Sequence, residues 1–360
     1  MTRRSFVAGA PAILMAQSPN DVIRVGIIGV GNRGAFLLRQ ILKVPNVKVV
    51  AICDLDPETL KKAGQAAAAH SPELYTEYRK LLDRKDIDAV FIATPVDLHR
   101  EMTMAALEVG KNIYCEKPMA RTPEECKAVV AAAKTAKGIL QYGFQLRHDP
   151  LRASSVKYIH DGKLGKVLFL QAYRHSGDLP RNTLWYFDAS RSGNNIVEQA
   201  CHILDIFNWV TQTHPLRAYG SGGINLYKDE PPGRTTLDNY VVLFEYPNDV
   251  RFSFSHIFFD PPNFTGIQER AFGSEGAIDL PKGLFYPRTG GRESKPEKIA
   301  IEGEGEDMNL RSVSAFFDNA RGKKRPLNHP DSARVSTLTG ILGRKSMEEK
   351  RVVEWREVDL

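Results

Sequence analysis

From residue 22 onward the chain alternates between short, unbroken apolar runs and longer stretches with apolar positions at helical spacing. The runs VIRVGII (22–28), VKVVAIC (47–53), IDAVFIATP (87–95), NIYC (112–115) and ILQYGF (139–144) read as strands buried on both faces. Between them, helical period covers residues 35–42, the stretch opened by Asp56-Pro57-Glu58, the stretch that carries His99 and ends at Gly110, and residues 123–137. Such alternation predicts a parallel, doubly wound α/β domain over residues 21–145. The rhythm changes near residue 150. A helix at 151–160 leads into long alternating segments at 167–175, 240–246, 250–259 and 267–272, the pattern of a largely antiparallel sheet. Residues 195–210 read as one helix, and 310–321 and 331–347 as the last two. The second domain, residues 146–360, is therefore expected to be α+β, with its last helices able to pack back on the first.

The first apolar run ends in Gly29-Val30-Gly31-Asn32-Arg33-Gly34, and the second ends in Asp54. Strand, glycine turn, helix, strand and terminal acid together are the sequence form of a dinucleotide-binding Rossmann unit. Gly29 permits the tight turn, Gly31 lets the backbone approach a pyrophosphate, and Gly34 lets the helix sit close to the strand. Free N–H groups and the positive helix end then face the phosphates. A carboxylate at Asp54 accepts hydrogen bonds from ribose hydroxyls and repels the extra phosphate of NADP. No Arg or Lys stands between Asp54 and Lys61 to neutralise that phosphate, so the expected cofactor is NAD. The competing reading makes Asp54 the cap of the next helix.

Bulk properties narrow the class. A 42% hydrophobic and 26% charged composition over 360 residues fits a globular protein of two domains. The net charge of +6 is dispersed, and its one tight cluster, Arg321-Gly322-Lys323-Lys324-Arg325, follows a predicted helix, where cations complement the negative helix end. Nucleic-acid binding is not expected. Cys53, Cys115, Cys126 and Cys201 lack metal-ligand spacing and read as free thiols, and no metal is expected. No apolar stretch is long enough to span a bilayer, so no integral membrane segment is expected. Residues 1–20 read as a signal segment: Arg3 and Arg4, a short apolar stretch at 6–16, then polar residues 17–20. The paired arginines resemble a twin-arginine signal, which would place the protein in the periplasm. Leu14 stands where a cleavage site wants a small residue, and a cytoplasmic tail or an ordered arm is the alternative.

Further motifs extend the pattern: ATPVDLH at 93–99, EKP at 116–118, GFQLR at 143–147 and EQACHILD at 198–205. In this order they resemble the glucose–fructose oxidoreductase, inositol dehydrogenase and rhizopine-catabolism group (Gfo/Idh/MocA), over essentially everything after the signal segment. The resemblance implies that Lys117 and His202 flank the carbon that exchanges hydride with nicotinamide, with Glu198 assisting. It also implies a cofactor set of Gly29, Gly31, Asn32, Arg33, Gly34, Asp54, Thr94, Pro95, His99, Glu116 and Gln145. Glu198 stands where the family more often has Asp, which leaves its role open.

The residues alone also point to chemistry. Oxidising an alcohol needs a base for the hydroxyl proton and a donor for the developing alkoxide. A dry cleft lowers a lysine pKa, whereas Glu116 beside Lys117 raises it, and the sequence leaves that contest open. Glu198, His202 and Asp205 share one face of the expected helix, where a carboxylate beside the imidazole orients it and favours its protonated form. Arg147, Tyr173, His175, Arg181, Trp185 and Asp205 are candidate contacts for a polyhydroxylated ring, and His148 leaves the first domain beside Arg147. The expected activity is NAD-dependent hydride transfer at a secondary alcohol of a sugar or cyclitol, with tightly held NAD if the protein is exported. The alternatives are a redox-neutral, NAD-dependent glycosidase and a non-catalytic NAD-bound sensor. The resemblance further implies a homodimer or homotetramer.

Overall fold

The computed structural model describes residues 22–180, 183–264, 266–289, 291 and 294–360. Residues 1–20, where a signal segment is expected, and Arg181 therefore lie outside the described residues. The first sheet comprises β1 (Ile23–Ile28), β2 (Val47–Cys53), β3 (Glu73–Tyr75), β4 (Ala89–Ile92), β5 (Asn112–Cys115) and β6 (Leu140–Tyr142). Its order is β3-β2-β1-β4-β5-β6, with every pairing parallel. The order reverses between β1 and β4, so the carboxyl ends of these strands open the crevice where such sheets take ligands. The apolar runs form strands because helices cover both faces. Asp56 caps the helix Pro57–Ala66 by accepting from Thr59 N at 2.7 Å, with Pro57 opening the first turn. Asp54 is thus free of the capping role.

The second sheet comprises β7 (Val167–His175), β8 (Arg217–Gly223), β9 (Asn239–Glu245), β10 (Arg251–Ile257), β11 (Gly266–Gly273), β12 (Gly276–Asp279), β13 (Leu284–Pro287), β14 (Glu297–Lys298) and β15 (Val353–Glu354). The order is β14-β13-β12-β11-β7-β10-β9-β8-β15, antiparallel except where β7 pairs β10. Leu170, Ala172, Val242, Phe244, Phe252 and Phe254 bury one face against the helix Cys201–Thr211 and its neighbours. The opposite face leaves Tyr219, Val241 and Leu243 exposed.

Two features depart from the sequence reading. The helix expected over 195–210 breaks into Asn195–Glu198 and Cys201–Thr211. There the Ala200 N–H reaches back five residues to Asn195 O at 3.0 Å, which widens the turn and re-aims the helix beyond it. The strand β8, RAYGSGG, has too little apolar alternation to announce itself, yet its glycines let β9 and the last helix come close. The C-terminal helices serve both domains. Val313, Phe316 and Phe317 of the helix Met308–Gly322 pack on Phe91 and Tyr114 of the first sheet. The helix Pro330–Glu349 accepts from Met119 N through Thr337 Oγ1 at 3.1 Å, and its Gly340 lies against the backbone of Ile196 and Val197.

Candidate active site

The glycine turn is dictated by contacts that a side chain would block. Gly29 has φ +80°, and a Cβ on Gly34 would lie 1.9 Å from Gly29 O. A Cβ on Gly31 meets nothing within 4 Å, so that side of the turn is open. No side chain caps the helix Asn32–Ile41 that starts there. Asp54 accepts from Val30 N at 2.7 Å and from Asp56 N at 3.0 Å, which fixes its carboxylate at the rim of the turn. Arg33 donates to Glu116 at 2.7 Å and to Asn309 at 3.1 Å, tying the turn to the end of β5. Arg33 Nη2, Thr94 Oγ1 and Gln145 Oε1 are buried without partners. An open glycine, an uncapped helix start, a rim carboxylate and buried polar atoms awaiting partners fit NAD. Pro95 precedes the helix Val96–Glu108 at the same edge.

His99 takes a different part from the one expected. It is 1% exposed, with Nδ1 2.8 Å from Pro118 O and Nε2 3.0 Å from Thr94 O. Both ring nitrogens face backbone carbonyls, and the one that carries the proton donates, so His99 braces the loops after β4 and β5 and faces backbone rather than the open side of the glycine turn.

Lys117 leaves β5 and crosses to the second domain. Its ammonium donates to Glu198 Oε1 at 2.7 Å and to Glu198 O at 2.5 Å. Burial works against the charge, but Glu198, Cys201 and Glu116 outweigh it and raise the Lys117 pKa above its ordinary value. The contest left open by sequence is thus won by the carboxylates, and Lys117 is a cation at neutral pH. His202 is half-buried, and its Nδ1 is shielded from solvent without a partner. Burial first, then Lys117, Arg174, Arg33 and Arg152, push its pKa well below the ordinary value. The expectation that a neighbouring carboxylate favours the imidazolium is therefore overturned: Glu198 pairs with Lys117, and His202 is neutral. A neutral imidazole can take a proton, and an ammonium with one N–H uncommitted can donate.

The expected substrate contacts divide. Arg147 and Asp205 bind each other bidentately at 2.8 and 2.7 Å, buried, with Ser336 Oγ donating to the same carboxylate at 2.6 Å. The guanidinium lies over Trp209, 5.4 Å from the ring centre. Both carboxylate oxygens of Asp205 are taken and the buried guanidinium is turned onto them, a strut where the chain leaves the first domain, which corrects their assignment to substrate. His148 beside them is held neutral, its pKa pushed down to about 4 by burial and by Arg311 and Arg147. Tyr173 and His175 stack at 4.4 Å on the outer face of β7, where His175 Nε2 lies 3.1 Å from Ser255 Oγ. They point away from the inner face that carries Leu170 and Ala172, so they too leave the substrate set. Trp185 packs at the edge of a small cluster with Leu179, Phe187 and Phe258, while its neighbour Tyr186 is buried and donates to Gln199 Oε1 at 3.3 Å. Arg174 and Tyr186 also lie on this side of the second domain, outside the expected set. Counting every second residue from Leu170 places Arg174 on the inner face, a signal the sequence already carried.

Among the described residues no cluster of His, Cys, Asp and Glu could hold a metal ion, no helix is long and apolar enough to cross a membrane, and all four cysteines are free and buried.

Comparison with known proteins agrees with this layout. Residues 23–144 match the model of the oxidoreductase family with an NAD-binding Rossmann fold, and residues 156–279 match the Gfo/Idh/MocA C-terminal domain. The chain is 32% identical over 191 residues to an inositol 2-dehydrogenase/D-chiro-inositol 3-dehydrogenase of Lactiplantibacillus plantarum, covering 52% of each protein. It is 36% identical over 223 residues to a levoglucosan dehydrogenase of Pseudarthrobacter phenanthrenivorans, covering 55% of each. The chain thus spans about half the length of these curated relatives. In three dimensions it resembles a levoglucosan dehydrogenase solved in complex with NADH, with a TM-score of 0.81 at 21% identity, covering 92% of this chain and 98% of that one. At that identity the likeness shows the fold. The two family matches together span more than half of the sequence and meet at the crevice that holds Lys117 and His202: the chain belongs to the Gfo/Idh/MocA family.

Proposed function

We propose that this chain is an NAD-dependent oxidoreductase acting on a secondary alcohol of a sugar or cyclitol. The observation that carries the reading is the pairing of a charged Lys117 with a neutral, unpartnered His202 at the carboxyl edge of the first sheet. The residues that would hold NAD are the glycine turn for the pyrophosphate, Asp54 for the ribose, and Arg33, Thr94 and Gln145 beyond it. When bound, NAD supplies the hydride acceptor. The chain's own work is on the proton and the charge. His202 takes the hydroxyl proton, since burial keeps its imidazole free. Lys117 holds the oxygen through its remaining N–H, and Glu198 fixes the ammonium's direction. The relatives' names, inositol and levoglucosan dehydrogenases, support a cyclic polyol as the substrate class.

The direct test has two parts. Denatured protein should release NAD, and the folded protein should reduce it at 340 nm with a cyclitol, anhydrosugar or aldose. Absence of both released and added NAD binding would defeat the reading.

We also infer that residues 1–20 direct export, on the strength of Arg3, Arg4 and the apolar stretch after them. Replacing both arginines by lysine should retain the protein in the cytoplasm, and an unchanged distribution on fractionation rejects export. The exposed Tyr219, Val241 and Leu243 suit a homo-oligomer, which sedimentation of the purified protein tests.

A further inference from the structure

The charges around His202 are balanced with one exception. Four cations depress its pKa: Lys117, Arg174, Arg33 and Arg152. Lys117 is paired with Glu198, Arg33 with Glu116, and Arg152 with both Asp149 and Glu269. Arg174 makes no ion pair among the described residues, and its Nε is shielded from solvent without a partner. A half-buried guanidinium that has given up part of its hydration and gained no counter-ion is costly. The fold nonetheless holds it firmly. Arg174 stands on β7 in register with His256 of β10, and His256 is in register with Tyr240 of β9. The Tyr240 hydroxyl meets His256 Nδ1 at 2.9 Å, and His256 Nε2 is a second buried atom without a partner. Tyr186, buried nearby, feels the same cation. Arg174 lies on the second sheet, whereas the glycine turn that suits a pyrophosphate lies on the first, so its charge belongs to the substrate side.

We propose that Arg174, with Tyr186, Tyr240 and His256 beside it, forms a subsite for a carboxylate on the substrate, and that the polyol oxidised here is a sugar acid such as a hexuronate. A single unpaired guanidinium balances a single negative charge, and its fork matches a carboxylate bidentately. A phosphate dianion would leave one charge uncompensated in the same half-buried place. This inference rests on the oxidoreductase reading for its polyol but not for its anion.

The test uses the full-length chain saturated with NAD. Glucuronate, glucose and glucose 6-phosphate are titrated calorimetrically, and absorbance at 340 nm is followed in the same mixtures. Glucuronate should bind tighter than glucose by roughly 10–100-fold, the range of a hydrogen bond to a charged group. Arg174→Gln should collapse that ratio to near unity, and Arg174→Lys should restore part of it, with melting curves showing that both variants fold. Equal binding of glucuronate and glucose by the wild type overturns the proposal, as does a preference that survives in Arg174→Gln or a stronger preference for the phosphate. A glucuronate preference without any change at 340 nm upholds the carboxylate subsite and counts instead against the oxidoreductase reading.

Discussion

Two ion pairs reach the same helical stretch of the second domain, one from the end of β5 and one from the residues just after β6, and they have opposite characters. Arg147–Asp205 is sealed, with side chains 7% and 1% exposed, and both carboxylate oxygens are taken. Lys117–Glu198 is a little more open, at 12% and 15%, and the ammonium keeps one N–H uncommitted beside a neutral imidazole. In sequence the two look alike: each joins a basic residue placed after a strand to an acid in the EQACHILD stretch. The difference lies in setting. The bidentate guanidinium–carboxylate pair is closed off from solvent and holds structure, whereas the lysine pair keeps a donor in a more open place.

The sharpest break of this comparison is catalytic. Lys117→Ala and His202→Ala should each lower turnover by about 10²–10⁴-fold while NAD still binds. Steady-state rates and cofactor titration check this, and loss of NAD binding in either variant would reassign that residue to structure. Asp205→Ala should act on stability instead, by about 3–5 kcal/mol, because it strands the buried Arg147 charge. Replacing both partners by apolar residues, Arg147→Met with Asp205→Leu, should recover most of that loss in denaturant unfolding. If Asp205→Ala keeps its stability and loses only turnover, the two pairs are not different in kind.

A third test uses pH. In the resting protein His202 titrates well below pH 6.5 and Lys117 above 10.5, so the rate should be level through neutrality. Glu198→Gln removes the chief charge that raises the Lys117 pKa, so the alkaline limb should move to lower pH. Stability should change on the acid side. His148 and His329 fall to about 4 in the fold, so the unfolded chain binds more protons once pH drops below about 6.5. Melting temperature should therefore decline from pH 6.5 down to about 4, and a flat profile there would contradict the buried neutral histidines. The smallest effect belongs to a third carboxylate, Asp54, held only by two backbone N–H groups. Asp54→Ala should weaken NAD by roughly tenfold and shift preference toward NADP, read from paired cofactor titrations.

Much of this was legible along the chain. The glycine turn, β2 and β5 with their terminal acid and lysine, and β7 follow from punctuation and period alone. What was illegible depended on partners far away in sequence. The direction of the Lys117 shift is set by Glu198, 81 residues on, and the bidentate pairing of Arg147 by Asp205, 58 residues on. Tyr173 and His175 have chemistry that suits a substrate, but the alternation of β7 turns both outward. The split of 195–210 arises from one widened backbone turn at Ala200 that no side chain advertises.

The brace formed by the last helices has a consequence in time. Asn328 holds the carbonyls of Tyr142 and Phe144, Thr337 holds the loop after Lys117, and Gly340 seats the backbone that leads to Glu198. Domains emerge from the ribosome N-terminal end first. The strands of the first sheet can therefore form while translation continues, but one of its faces is covered, and the Lys117–Glu198 pair is seated, only when the last two helices arrive. Those helices act as a late-made latch on a site whose parts were synthesised long before.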